Sequence, residues 1–432
     1  MPGRAQRETK KMQAQAQPEL QPPTTETAQP DPTRLDMRQL GFLVAGMFVA
    51  MLTLTLPVAQ LGEFVGRLLP NGGADVELEN TAKGLFQTMH FLAYIPFAFI
   101  WGALSDRSGK RKPFLMIGML GQGVMFGLMP FIDNLWLLYA ARFVEGTFSI
   151  AVVSMLMTMT LDIAPPGRRG MTLGVFTMGM LLGNGLGAPI GGALSELSMS
   201  YPFWLGAGLL ALMLAVIGVG VRETSAVTHG YSFRRSMMVF REHPRLGIPY
   251  AFTMLDRLTV GFFVGQFPIL ADVVYGFGPR DRGIYLMVFL LCFALFSPVG
   301  GAISDRFGRV RPMLLGTVAY GLMLMLVGRV GPELLYAVMA FGGLCGAVLY
   351  PPSIALVGDY AGPRQRGVAM GGFNLAGSIG FAAGPLIFNL IADGLGILTP
   401  PLVAGLLCIL AAAVAAPLML GRKAEGRVVL NS

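Results

Sequence analysis

Five ionisable residues lie inside long apolar stretches, where a chain rarely keeps them. Arg142 and Glu145 interrupt the run 135–161, Asp256 and Arg257 interrupt 246–271, and His90 falls within 84–105. A charge at the centre of a membrane helix costs about 2.5–3.5 kcal/mol on insertion scales, so such residues mark ion or substrate pathways, or pairs that neutralise one another. Arg142 and Glu145 are i and i+3 and can pair on one helix face. Both readings stay open for them: a structural pair, or proton or substrate coupling. Asp256 lies about 15 Å in from Leu246 at a 1.5 Å rise, near mid-membrane. It is the first candidate for a proton-titrated carboxylate, with an interhelical salt bridge as the alternative. Asp256 and Arg257 point about 100° apart, so each is expected to find its partner on another helix. His90 can titrate near neutral pH or serve as a hydrogen-bonded structural residue. Gln87, Asn184, Gln266 and Asn374 are further polar candidates for a cavity, and Glu63 for its outer mouth.

The elements that must position these groups are membrane helices. Of 432 residues, 54% are apolar and only 13% charged, and 58 are glycine; soluble domains run near 25% charged. Those figures exclude a disordered chain, a disulfide scaffold and an ordinary soluble enzyme. Stretches free of Asp, Glu, Lys and Arg reach membrane-spanning length at 39–62, 84–105, 113–132, 170–195, 197–221, 283–304, 334–358, 367–392 and 394–421. The run 312–328 is slightly short, and the two charge-bearing runs complete a set of twelve, spans 1–12 in chain order. No strand alternation points to a membrane barrel. Residues 1–38 read as a disordered tail, too hydrophilic for a signal peptide, which leaves span 1 as the uncleaved membrane signal.

With the N-terminus inside, 25 of the 32 Lys and Arg residues fall on the cytoplasmic side. Five, Arg67, Lys83, Arg280, Arg282 and Arg329, fall on the other, so both termini are expected in the cytoplasm. The net charge of +8 then reflects topology and lipid contact, not nucleic-acid binding. Trp136, Trp204 and Trp101 read as interfacial belt residues. Cys292, Cys345 and Cys408 are scattered through apolar helices and suggest neither disulfides nor a metal site. With no metal-ligand spacing, nucleophile elbow or Walker loop, the expectation is no cofactor, no enzyme and no ATP-driven pump in this chain.

The chain also repeats itself. Trp101–Lys112 and Gly300–Arg311 carry the same pattern, with Asp106 and Asp305 199 residues apart. Asp162–Gly170 and Asp359–Gly367 match at an offset of 197. The halves are 39–221 and 246–420, joined by a basic linker, 222–245, with a cytoplasmic tail at 421–432. Duplicated membrane halves rock against each other around a site near the midplane.

The segment Gly102-x-Leu-Ser-Asp106-Arg107-x-Gly109-Lys110-Arg111 resembles the signature between helices 2 and 3 of the major facilitator superfamily, with a degenerate copy at Gly301–Arg311. The resemblance implies an all-α membrane protein with 12 transmembrane helices in two pseudo-symmetric six-helix bundles. It further implies a cytoplasmic gate: Asp106 docked at the N-terminus of helix 11 near Gly367, Lys110 paired with Asp162, and Asp305, Arg309 and Asp359 acting likewise in the second half. The glycines permit the tight loop. Arg142, followed by Glu145 and Gly146, resembles the family's second motif. Span 5, with Gly183, Gly187 and Pro189, resembles the GxxxGP motif of proton-coupled exporters, although Ala188 stands where Pro belongs; span 11 carries Gly380, Gly384 and Pro385. The implied function is a secondary transporter working by alternating access, with proton-coupled efflux of small amphipathic organic molecules. A proton-coupled importer or facilitator of a small metabolite is the alternative, and a non-transporting receptor or scaffold the reading from another class. The expected partners are a small-molecule substrate, protons and lipid, around a monomer in a bacterial inner membrane.

Overall fold

The structure is a computed structural model that describes residues 36–70, 78–165, 169–224 and 241–420. The tail 1–35, the linker residues 225–240 and the tail 421–432 lie outside the described residues. Among the described residues there is helix and no strand. Spans 1–6 are Met37–Thr55, Glu79–Ser108, Lys112–Phe131, Leu135–Asp162, Arg169–Leu197 and Tyr201–Gly220. Spans 7–12 are Gly247–Gly265, Pro279–Phe307, Val310–Leu326, Pro332–Ala361, Val368–Leu395 and Thr399–Leu420.

The twelve expected helices are therefore present. Span 1 begins before the expected boundary because Asp36 caps it, accepting from the Arg38 and Gln39 amides at 3.0 and 3.1 Å. Spans 1 and 7 both break near one end. A short helix, Leu61–Gly66, follows span 1, and Phe267–Tyr275 follows span 7 at a bend of 47°. Spans 10 and 11 are two arms of a hairpin whose backbone stays helical through the bend. Val357 and Ala361 pack with Ala369 and Phe373, which requires the chain to double back between them.

The two halves are built alike. Spans 1·5, 2·4, 3·4 and 3·6 pack together, and so do 7·11, 8·10, 9·10 and 9·12. Lipid offers no hydrophobic drive between helices, so close packing depends on small residues. A Cβ on Gly183 or Gly187 would meet the carbonyl of Phe48 or Leu52 in span 1 at 2.3–2.4 Å. On Gly380 or Gly384 it would meet Met254 or Leu258 in span 7 at 2.2–2.4 Å. The packing motifs of spans 5 and 11 thus do the same steric work in each half. Large apolar side chains such as Val219, Leu315 and Trp136 point outward, at 93%, 71% and 76% exposure; that surface suits hydrocarbon. Trp101 differs from the belt reading: its indole Nε1 donates to the Thr147 carbonyl at 2.8 Å, so it ties span 2 to span 4.

The halves meet through spans 5·8 and 2·11. One end of the molecule carries the loops after spans 2 and 8, and we call it the basic end; the other is the far end. The polar contacts that join the halves between described residues gather at the far end. Arg282 donates to Glu63 at 2.6 Å, and Asp393 accepts from Asn80 and Thr81 at 2.6–3.0 Å. Mid-depth, Phe91 of span 2 stacks on Phe381 of span 11, centroids 4.7 Å apart. Toward the basic end, the hydrophobic clusters around Leu115 and Met159, and around Leu356 and Met313, each draw on one half alone.

Candidate functional site

The first buried group lies in the N-terminal half. Helical spacing puts Gln87, His90 and Tyr94 on one face of span 2, and Arg142, Glu145 and Ser149 on one face of span 4. Glu145 is the hub. Its Oε2 accepts from Arg142 Nη1 at 2.8 Å and lies 2.6 Å from His90 Nδ1, and its Oε1 accepts from Gln122 of span 3 at 3.0 Å. Arg142 Nη2 donates to Gln87 Oε1 at 2.7 Å, and its guanidinium sits 4.6 Å from the Phe86 ring centroid. His90 Nε2 reaches Tyr94 at 3.1 Å, and Tyr94 reaches Ser149 at 3.0 Å. Every one of these polar side chains is buried. The result is a hydrogen-bonded chain that can hold one proton more or less between an imidazole and a carboxylate.

Gly146 makes the chain possible. A Cβ there would sit 2.3 Å from the His90 carbonyl oxygen, so only glycine lets spans 2 and 4 approach enough for His90 to meet Glu145. Gly146→Ala should cost about 1–3 kcal/mol by overpacking. Thermal unfolding of the purified protein would read this; a variant as stable as the parent would contradict the close approach.

The second group is Asp256 and Arg257. Each was expected to pair on a different helix. Instead, the long Arg257 stem curls back until Nε is 3.7 Å from Asp256 Oδ2, and its partners on other helices are aromatic faces, Tyr350 at 4.4 Å and Phe381 at 5.1 Å. Asp256 Oδ2 has no hydrogen-bond partner. The carboxylate faces a small space between spans 7, 9, 10 and 12, lined by Thr259, Thr317, Tyr320 and Cys408 among others.

At the basic end the structure corrects which cation makes the pairing. Lys110 is exposed, and Arg111 is the cation that turns inward. Its Nη1 donates to Asp106 at 2.6 Å and to Ser105 at 3.0 Å, and its Nε is 3.6 Å from Asp162. In the second half Arg309 repeats this: Nη1 to Asp305 and Ser304, and Nε 3.6 Å from Asp359. The register differs by one residue because the two glycine caps differ, Gly109 at φ 66°, ψ 12° and Gly308 at φ 83°, ψ 156°. The expected dock of Asp106 near Gly367 falls on side chains outside the described residues; there the helical backbone runs on from span 10. A Cβ on Gly102 would meet open space, and Arg107 is exposed. Arg111→Ala should lose about 1.5–3 kcal/mol, the worth of hydrogen bonds to charged groups, whereas Lys110→Ala should stay within about 0.5 kcal/mol. Comparing the melting of the two variants checks this, and a larger loss for Lys110→Ala would contradict it.

Of the remaining candidates, Asn184 contributes only its backbone carbonyl, to Thr55, and Asn374 is exposed. Gln266 donates to the Ile397 carbonyl at 3.4 Å. Glu63 sits at the far end, in a bridge with Arg282 that also engages Asp272 at 2.7 Å. Sequence reasoning missed Gln122, Tyr94, Ser149, Arg282 and Arg111. Gln122 had a signal, being a lone amide midway along an otherwise charge-free span.

Matching glycine contacts in the two halves separate what the fold requires from what it does not. The contact of Gly146 with His90 recurs as Gly343 with Phe289, at 2.3 Å in both halves. At those offsets Arg142 and Glu145 correspond to Met339 and Gly342, while Asp256 and Arg257 correspond to Ala50 and Met51, using the Phe48–Met254 match for spans 1 and 7. Close-packing glycines are shared; buried charges are not. The fold is built without these charges in the opposite half, so packing alone does not explain them.

The sequence model described as Major Facilitator Superfamily matches residues 39–269 and 246–431. The chain is 26% identical to the class E tetracycline resistance protein of Escherichia coli over 359 residues, 79% of this chain and 84% of that one. It is 23% identical to the multidrug resistance protein MdtH of Photorhabdus laumondii, over 67% of this chain and 73% of that one. Among solved structures, a bacterial homologue of the human lysosomal transporter Spinster, inward-facing and occupied, aligns with a TM-score of 0.73 at 14% identity over 89% of this chain and 96% of that one. The human organic anion transporter MFSD10 aligns at 0.66 and 20% identity, over 89% and 99%.

Proposed function

The chain belongs to the major facilitator superfamily, which makes it a multi-pass membrane transporter and not an enzyme, and on that footing we propose that it exports small amphipathic organic molecules in exchange for protons. The moving units in this reading are the bundles 39–221 and 246–420, and the basic end faces the cytoplasm of a bacterial inner membrane. The charge bias of the loops supports that orientation, and relatives that confer tetracycline and multidrug resistance support the cargo class and direction.

One observation carries the reading. The bundles are fastened to each other by polar contacts at the far end and by a ring stack at mid-depth, while their basic-end cores are separate. That arrangement supports a cavity open at the basic end and shut at the far end. The proton is assigned to the His90–Glu145 pair, because that pair has no counterpart in the second half and lies one ring from the bundle interface through Phe91. Asp256 is a second acceptor, and the gate residues Asp106, Arg111, Asp162, Asp305, Arg309 and Asp359 remake their contacts when the basic end closes. Lipid surrounds a monomer.

The test uses proteoliposomes with an imposed pH gradient and tetracycline as the probe. Exchange predicts accumulation in the acidic compartment, abolished by a protonophore. Accumulation in the alkaline compartment would make the protein a symporter, and equal uptake without a gradient a facilitator; either contradicts the proposal.

A further inference from the structure

We propose that Arg257 is the recognition group for an organic anion that carries a flat apolar ring. The inference deepens the transport reading above and rests on it. Five ionisable side chains lie near mid-depth, and they are not equally available. His90, Arg142 and Glu145 are 0% exposed and hold one another. Asp256 is 7% exposed and turned into the space beside Thr259 and Tyr320, whose free volume is about 10 Å³, room for one water at most. Arg257 keeps 19% of its side chain accessible. What this depth offers a cargo is therefore a guanidinium, not a carboxylate.

The surroundings suit that role. Asp256 is the only carboxylate within 4 Å of Arg257 among the described residues, and at 3.7 Å it is beyond hydrogen-bond length. Tyr350 takes one side-chain hydrogen bond from Arg257, and the remaining donors of the fork suit a planar two-oxygen acceptor. Tyr350 and Phe381 flank it at 4.4 and 5.1 Å. Phe381 in turn stacks on Phe91 of the other bundle at an interplanar angle of 12°. Arg257 therefore stands beside the surface where the bundles meet, next to rings that could stack on an aromatic cargo. Met51 occupies the matching place in the first half, so the fold does not call for a cation here. A partly accessible guanidinium repels organic cations, and Asp256 is turned too far inward to attract them.

The experiment measures binding to the purified full-length protein by calorimetry, with three probes that share one ring system: 2-naphthoate, neutral 2-naphthamide and cationic 2-naphthylmethylammonium. The expected ranking places naphthoate at least tenfold tighter than the other two. Arg257→Gln should bring naphthoate down to the naphthamide affinity and leave naphthamide within twofold; Arg257→Lys should recover part of the loss. Asp256→Asn, which frees the guanidinium, should tighten naphthoate severalfold, a gain that a purely structural pair would not give. The proposal is overturned if the ammonium probe binds best, if naphthoate does not bind at millimolar concentration, or if Arg257→Gln binds it as the parent does. The wild-type ranking needs no variant, so a misfolded Arg257 variant does not protect the idea. A protein that shows the ranking yet moves nothing in the gradient assay keeps this site and refutes the transport reading. Gradient-driven tetracycline transport alongside an inverted ranking does the reverse.

Discussion

Glu145→Leu should destabilise the protein by about 3–5 kcal/mol, the cost of stripping one partner from a buried ion pair. The reason is what stays behind. Arg142 is fully buried, and without Glu145 it keeps the Gln87 side-chain oxygen and the faces of Phe86 and Phe126 but no carboxylate. His90 and Gln122 lose their acceptor in the same step. The double change Arg142→Leu, Glu145→Leu should recover much of the loss, because two apolar side chains replace a pair whose desolvation was itself expensive. Glu145→Gln should fold, since an amide oxygen still accepts, but should lose gradient-driven transport while keeping downhill movement. Thermal unfolding of the parent, Arg142→Leu, Glu145→Leu and the double variant gives the coupling energy directly. Near-additive losses would mean that Arg142 and Glu145 are not a pair, and unchanged uphill transport in Glu145→Gln would remove this group from coupling.

The second large effect concerns the far-end seam. A Cβ on Gly192 would lie 2.2 Å from the Pro279 carbonyl oxygen, and one on Gly283 would lie 2.5 Å from that of Ala188. Both obstacles are backbone, so spans 5 and 8 must part. Each overpacking costs about 1–3 kcal/mol, and inverting a 99:1 equilibrium takes about 5.5 kcal/mol. Gly192→Leu with Gly283→Leu should therefore move the population well toward a form open at the far end. In a background without the three native cysteines, Cys at Ala188, now 1% exposed, should become reactive to a membrane-impermeant maleimide. Persistent protection of that cysteine in a transporting variant would show that the seam does not open.

The residues explain what the sequence could and could not reveal. Helix number is a matter of apolar length along the chain, so it is readable even for spans 4 and 7, which carry charges inside. The Arg142–Glu145 pairing was readable because i, i+3 geometry is local. The gate cation was not, because Lys110 and Arg111 are neighbours and the left-handed cap at Gly109 decides which of them turns inward. Arg282 reads as a loop charge in the sequence, since it precedes the charge-free run at 283, yet span 8 begins at Pro279 and carries it as a buried anchor between Glu63 and Asp272. Tyr94 and Ser149 are too common in membrane helices to stand out until span 2 and span 4 are seen in contact. The unequal placement of charge in the two halves emerged only when contacts such as Gly146 with His90 and Gly343 with Phe289 fixed the register of the repeat.

Motion of the two bundles against each other is best tested by paired distances between spin labels. Exposed positions suit this: Leu197 and Leu395 at the far end, 75% and 71% accessible, and Arg107 and Arg306 at the basic end. Alternating access predicts that the Gly192→Leu, Gly283→Leu protein lengthens the far-end distance and shortens the basic-end distance in the same sample. Two distances that stay fixed, or that change in the same direction, would contradict it.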